Sequence, residues 1–204
     1  MNIAILGTGN VGGALATNWS KNAHSINLGV QDLNNFKGQD LLKNENTNAY
    51  SINEAVQKSE FILIATPPTA IFGILEQMGD VSGKVIIDAS NAVMKSPEPY
   101  KTVYHCFVDR TQAEIVKCFN STGFENMLNP IYQGEGIDMF MAGDSEKAKS
   151  IARQLALDCG FSQCWDFGKA DKVELLEKLA LSWINLAIMQ GHGRDIAFKV
   201  LRRK

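Results

Sequence analysis

The sequence predicts an α/β fold with a doubly wound parallel sheet, and three observations point to it. Short apolar runs of β type recur at Ile3–Leu6, Ser25–Leu28, Phe61–Ala65 and Val85–Asp88. Stretches of helical period or loop separate them, and strand alternating with helix implies parallel strands covered on both faces. A glycine-rich turn joins the first run directly to the first helix. Right-handed crossovers then wind the helices onto both sides.

The elements follow in order. Val11–Ser20 places Val11, Leu15, Ala16 and Trp19 on one side of a helix. Asn34–Asn48 is polar, rich in Asn and Lys, and reads as a surface loop with weak helical turns. Ile52–Gln57 reads as a short helix, and Ala70–Met78 as another with Ile71, Ile74, Leu75 and Met78 on one face. Met94–Tyr104 contains Pro97 and Pro99 and reads as an irregular connection. Ile115–Phe119, Met139–Ala142 and Gln163–Phe167 are further strands. Ser145 caps a helix running to about Asp158, with Gly160 as its stop signal. Asp171 caps a longer helix whose Leu175, Leu176, Leu179, Trp183, Leu186 and Ala187 form a broad apolar stripe. That stripe serves either core packing or the seam of a homodimer. Gly191 and Gly193 end the helix before a basic segment closing in Arg202, Arg203 and Lys204. The division expected is a dinucleotide-binding domain over residues 1–143 and a small helical C-terminal part over 144–204.

Composition narrows the function classes. The 204 residues are 45% apolar and 21% charged, enough to bury a core. A formal net charge of −2 gives no reason to expect nucleic acid or an anionic membrane as partner. No apolar run approaches the ~20 residues of a membrane span, and Ile3–Leu6 lacks the basic flank of a signal peptide. Cys106, Cys118, Cys159 and Cys164 form no C-x-x-C pair, and with three histidines they offer no metal cluster. Reduced, buried thiols of a cytoplasmic protein are expected, with a local Cys159–Cys164 bridge as the alternative.

The strongest motif is the G-x-G-x-x-G of Gly7, Gly9 and Gly12, with Thr8, Asn10 and Val11 between the glycines. Gly7 permits a tight turn at the strand end, Gly9 lets the backbone approach a pyrophosphate, and Gly12 lets the helix pack closely on the sheet. N–H groups at the helix start favour the negative charge. The end of the second strand, Val30-Gln31-Asp32, bears on which dinucleotide binds. An adenosine 2′-phosphate is usually met by Arg, Lys or Ser. Val30 and Gln31 offer no charge, and Asp32 would repel it. Asp32 stands where an acid hydrogen-bonds the ribose of NAD, or else it starts the next loop. NAD is therefore expected to be accepted at least as well as NADP. Lys37 is a further candidate for a phosphate contact, but it lies in the polar loop Asn34–Asn48, whose course the sequence leaves open.

Several stretches together resemble the deazaflavin-dependent NADP oxidoreductase family, which is related to the pyrroline carboxylate reductases and to the cytosolic domains of six-helix membrane metalloreductases. They are Ile5–Ala16, Ala65–Pro68, Asp88–Val93, Lys117–Pro130, Met141–Phe161, Glu174–Ala187 and Gly191–Arg203. The resemblance implies a Rossmann domain with the nicotinamide lying across the carboxyl ends of the central strands. It further implies that Thr8, Asn10 and Val11 contact the pyrophosphate, and that Ala65, Thr66 and Pro67 line the path to the nicotinamide. Asn91 would approach the nicotinamide ribose or carboxamide, and Asn120 the hydride-transfer cavity. The family commonly carries Ser-Arg where this chain has Val30-Gln31. Read without the family, Pro68 suits the first position of a helix, Asn91 a turn, and Ser121 or Thr122 a helix cap.

The implied activity is hydride transfer between a nicotinamide dinucleotide and a flavin or deazaflavin co-substrate, which needs no catalytic dyad. The sequence shows none, and no catalytic residue is named. Of His24, His105 and His192, only the last, between two glycines, stands as a proton-donor candidate. Two alternatives remain: a reductase of a small imine or carbonyl, and a non-enzymatic redox sensor. Phe124 and Trp165 could stack on a bound ring or serve the core.

Overall fold

The computed structural model describes residues 1–203, so the expectation for Lys204 lies outside the described residues. Its elements are β1 (Asn2–Leu6), α1 (Asn10–Lys21), β2 (Ser25–Val30), β3 (Thr47–Ser51), α2 (Ile52–Gln57), β4 (Phe61–Ile64), α3 (Ile71–Met78) and β5 (Val85–Asp88). There follow α4 (Val103–Arg110), β6 (Glu114–Cys118), α5 (Phe124–Leu128), β7 (Ile131–Tyr132), β8 (Glu135–Gly136), β9 (Asp138–Ala142), α6 (Glu146–Asp158), β10 (Gln163–Asp166) and α7 (Val173–Ile184). The main sheet has eight strands in the order β10-β9-β6-β5-β4-β1-β2-β3. Every pairing in it is parallel except β6 with β9. Strands β3-β2-β1-β4-β5-β6 reproduce the Rossmann order, which leaves a crevice at the carboxyl ends where the order reverses between β1 and β4.

Alternate residues of each strand feed two cores, one on each side of the sheet. Ile3, Ile5, Leu28, Leu63 and Ile87 pack with Leu15 and Trp19 of α1 and Leu155 of α6. Ala4, Leu6, Ile62, Ile64 and Ile86 pack with Val56, Ile74, Phe107 and Leu176 on the other side. Trp19 is fully buried and donates its indole N–H to the Leu155 carbonyl at 3.0 Å. This double burial explains why the strands read as continuous apolar runs.

Several expectations are corrected. β3 lies where the loop was expected to continue; its Thr-Asn-Ala-Tyr-Ser sequence is that of a half-exposed edge strand without an apolar run. The connection after Pro99 yields to helix α4, capped by Thr102, which accepts from the His105 N–H; His105 is thus helical. Neither Ser121 nor Thr122 caps α5: Gly123 holds that position, and the Thr122 hydroxyl accepts from Asn126 at 2.7 Å. Asp171 lies in a short 3-10 turn, and α7 starts at Val173 without a side-chain cap. Beyond residue 143, α6 and β10 still belong to the sheet layer, so only α7 and the turns after it are helical outside it. Leu176, Trp183 and Ala187 are buried, whereas Leu175 and Leu186 of the expected stripe are exposed. Ser145 does cap α6, accepting from the Ala148 N–H at 3.0 Å.

All four cysteines are free thiols and buried. Cys159 does not bridge to Cys164; the close pair is Cys118 with Cys164, at 3.8 Å between sulfurs. Burial pushes the Cys118 thiol well above its ordinary value and Cys159 up to about 12, so both stay protonated and unreactive. No helix among the described residues is long and apolar enough to cross a membrane. No cluster of three His, Cys, Asp or Glu among them could hold a metal ion.

Candidate functional site

The glycine turn is built as its spacing demands. Gly7 has φ +106°, and a Cβ there would stand 2.5 Å from the Ala65 carbonyl oxygen. The turn after β1 is thereby pressed against the end of β4, which brings Ala65 and Thr66 beside it. A Cβ at Gly12 would lie 1.9 Å from the Gly7 carbonyl oxygen, so α1 can approach the sheet only through a glycine. Gly9 differs from both. It is the extended residue before α1, and a Cβ there would meet no atom within 4 Å. Packing within the protein does not require a glycine at this position, and the space a side chain would fill is open. Asn10 and Val11 begin α1, with Asn10 exposed and Val11 half-buried against the core.

Two cavities flank Thr8. One, of about 320 Å³, is lined by Gly7, Thr8, Val30, Gln31, Asp32 and Thr66 among others. Gln31 and Asp32 are exposed there, while Val30 is buried. The second, of about 270 Å³, is lined by Thr8, Gly9, Asn10, Lys37 and Phe124 among others. Lys37, left in a loop by the sequence, is brought to the glycine turn: the Thr8 hydroxyl donates to the Lys37 carbonyl. A larger cavity of about 440 Å³ opens at the opposite, amino edge of the strands, around Gly79, Asp80 and Thr111. Asp80 there is already satisfied by Ser82, so size does not mark the site.

Asn91 and Asn120 follow β5 and β6 and face one another. The Asn91 amide donates to the Asn120 carbonyl at 2.9 Å, and the Asn120 amide donates to the Asn91 side-chain oxygen at 3.0 Å. Phe119 makes this possible. Its φ is +59°, a conformation costly for a non-glycine residue, and its buried ring is held edge-on against Trp19 at 5.6 Å between centroids. The side-chain oxygens of Asn120 and Thr66 are buried without a hydrogen-bond partner among the described residues. Buried polar atoms are normally satisfied. Two orphans at the ends of β4 and β6, the strands on either side of β5, therefore suit a ligand carrying its own donors, such as a carboxamide and ribose hydroxyls.

Beneath this pair lies a charged network that the sequence reading missed. Lys117 of β6 is fully buried; its ammonium meets Asp88 at 3.0 Å and Glu177 of α7 at 2.7 Å, and donates to the Ser90 carbonyl. Ser90 returns its hydroxyl and N–H to Asp88 at 2.5 and 2.9 Å, and the Ala92 N–H donates to Glu177 at 2.8 Å. Burial disfavours the Lys117 charge, but the pull of Asp88 and Glu177 outweighs it and holds the ammonium above its ordinary value. A lysine inside the apolar run Ile115–Phe119 was the one available signal. The network clamps α7 to the loop carrying Asn91, and its groups are spent on one another.

The remaining candidates separate. His192 is exposed, and its ring makes no hydrogen bond among the described residues. His24 is engaged by Asp158 at 2.9 Å, and His105 by Thr102 at 2.8 Å. Trp165 donates to Asp138 at 2.7 Å, with Arg202 over its ring. Phe124 borders the cavity at Gly9 and is stacked, with Trp183, against the Arg194 guanidinium at 5.4 Å.

Residues 2–92 match the family described as NADP oxidoreductase, coenzyme F420-dependent. That stretch spans the glycine turn, Val30-Gln31-Asp32, Ala65–Pro67 and Asn91. No curated protein matches the chain. Among solved structures, one provisionally described as an F420-dependent NADP-reductase from Arthrobacter sp. FB24 superposes with a TM-score of 0.85 at 22% identity, over 99% of this chain and 100% of that one. A reductive aminase from Aspergillus terreus, in complex with NADPH and ethyl-5-oxohexanoate, gives a TM-score of 0.70 at 17% identity over 93% of this chain and 63% of its own. An imine reductase from Bacillus cereus gives 0.67 at 18% identity, over 93% and 62%. The chain thus spans a little over three fifths of the aminase and imine reductase chains, and the likeness to them is one of fold.

Proposed function

We propose that this chain is a nicotinamide-dinucleotide oxidoreductase that exchanges a hydride with a flavin or deazaflavin co-substrate. The observation that carries it is the glycine turn: Gly12 is packed to contact, while Gly9 faces space that a side chain would fill. Gly7, Thr8, Gly9, Asn10, Val11 and Gly12 would hold the diphosphate through backbone N–H groups at the start of α1. Val30, Gln31 and Asp32 would border the adenosine ribose, and Ala65, Thr66 and Pro67 the path beyond it. The unpartnered Asn120 oxygen would accept from the carboxamide, with Asn91 holding Asn120 in place.

When bound, the nicotinamide supplies the hydride, and the protein's part is to orient it and exclude water. An acceptor of flavin type suits a site poor in proton donors. The buried ammonium near the Asn91–Asn120 pair is committed to Asp88, Glu177 and the Ser90 carbonyl, and His192 is exposed. The buried free thiols support a reducing compartment such as the cytoplasm.

Anaerobic turnover of NADH and NADPH against flavin mononucleotide, riboflavin and a deazaflavin tests this. Oxidation of the reduced dinucleotide by one of these acceptors is expected. Reduction of a cyclic imine with no turnover of any flavin would replace the reading with that of an imine reductase. Tight dinucleotide binding with no turnover at all would make the chain a sensor.

A further inference from the structure

From the way charge is divided around Thr8, and resting on the dinucleotide reading above, we infer that this chain selects NADH over NADPH, with Lys37 serving the diphosphate that both share. The cavity at the end of β2 is where the adenosine ribose of a bound dinucleotide would lie. Val30, Gln31, Asp32, Asn35 and Phe36 border it, and no Lys, Arg or His among the described residues lines it. Asp32 is oriented by its own turn: one carboxylate oxygen accepts from the Asn34 N–H at 2.9 Å. Its other oxygen makes no hydrogen bond among the described residues and is left to accept from ribose hydroxyls. A 2′-phosphate, with nearly two negative charges, would meet that carboxylate with no cation in the same cavity to offset it.

The cation of this loop stands on the other side of Thr8. Lys37 lines the cavity shared with Gly9 and Asn10, the residues that begin α1. Its backbone is fixed there in two ways: the Thr8 hydroxyl donates to its carbonyl, and Gly38, at φ +91°, is packed so tightly that a Cβ would lie 2.7 Å from the Thr8 oxygen. The exposed Lys37 side chain has no ion-pair partner among the described residues. Asp40 borders the same cavity, but its carboxylate is paired with Lys43 at 2.5 Å. The free positive charge thus adjoins the helix start, where a diphosphate is stabilised, and lies outside the ribose cavity.

Fluorescence titration of the full chain with NADH and with NADPH tests the inference. The expected dissociation constant for NADH is lower by about tenfold, the scale of one like-charge contact at a solvent-exposed site. Gln31→Arg narrows or reverses that ratio, because it places a cation in the ribose cavity. Lys37→Ala weakens both dinucleotides by the same factor, about tenfold for one charge-assisted phosphate contact. Equal or tighter binding of NADPH by the unaltered chain overturns the inference while leaving the dinucleotide reading intact. A Lys37→Ala loss confined to NADPH also overturns it, because Lys37 would then serve the 2′-phosphate. Failure of the unaltered chain to bind either dinucleotide removes the underlying reading, and the inference with it.

Discussion

At Lys117 one buried ammonium is shared by two carboxylates within the protein, whereas around Thr8 the side chains of Lys37 and Asp32 are exposed beside cavities. Both regions are polar, and both lie at the carboxyl edge of the same sheet. The first is a scaffold. Its ion pairs are buried and offset by further hydrogen bonds, so they fix where α7 and the Asn91 loop sit. The second leaves its groups unpaired where water can reach them, the condition under which a ligand can still gain by pairing with them. The difference teaches that buried charge marks rigidity, and that incomplete satisfaction near a strand end marks binding.

Four substitutions sharpen that contrast, ordered by their effect on folding. Gly12→Val lies in the outward-facing region but should act as a core lesion, since its Cβ alone would stand 1.9 Å from a carbonyl oxygen. A loss on the order of 4 kcal/mol or more is expected in urea denaturation. Lys117→Met strands two buried carboxylates and should cost about 3–5 kcal/mol by the same measurement. The unaltered chain also carries a pH signature. The folded Lys117 value lies above the ordinary 10.5, so its contribution is complete below that pH and is lost as pH rises through the folded value. Lys117→Met should lack this alkaline limb in a stability–pH profile, and an unchanged profile would show that the network is not what anchors the edge. Ser90→Ala removes one donor to Asp88 and should cost about 1–2 kcal/mol, with the melting temperature falling accordingly. Gly9→Val should change stability by no more than about 0.5 kcal/mol yet abolish dinucleotide binding by titration. Normal binding by that variant would erase the distinction between the two regions.

What the sequence makes legible follows the same division. The glycine turn, the buried strands and the Ser145 cap are local, and each is written in consecutive residues. β3 was hidden because an edge strand with one solvated side needs no apolar run, and Thr47–Ser51 has none. Helix α4 was legible in principle: Thr102 as cap is followed by Val103, Tyr104, Cys106 and Phe107, all buried. The prolines at 97 and 99 outweighed that pattern. The Lys117–Glu177 pair joins residues 60 positions apart, and no spacing rule connects them. Lys37 was visible as a cation, but its place beside Gly9 depends on the course of the loop after β2.

The segment after Gly193 is tied down by the side chains of Arg194, Lys199 and Arg202 and, at Ile196 and Val200, through its main chain. Trp183 and Asn126 both donate to the Ile196 carbonyl at 2.7 Å, and the Val200 N–H donates to Asp138 at 2.8 Å. Such anchors read the path of the polypeptide and ignore which side chains it displays. Single replacements at Ile196 or Val200 should therefore be tolerated, whereas truncation before Arg194 would expose the Trp183 indole and deprive it of its acceptor.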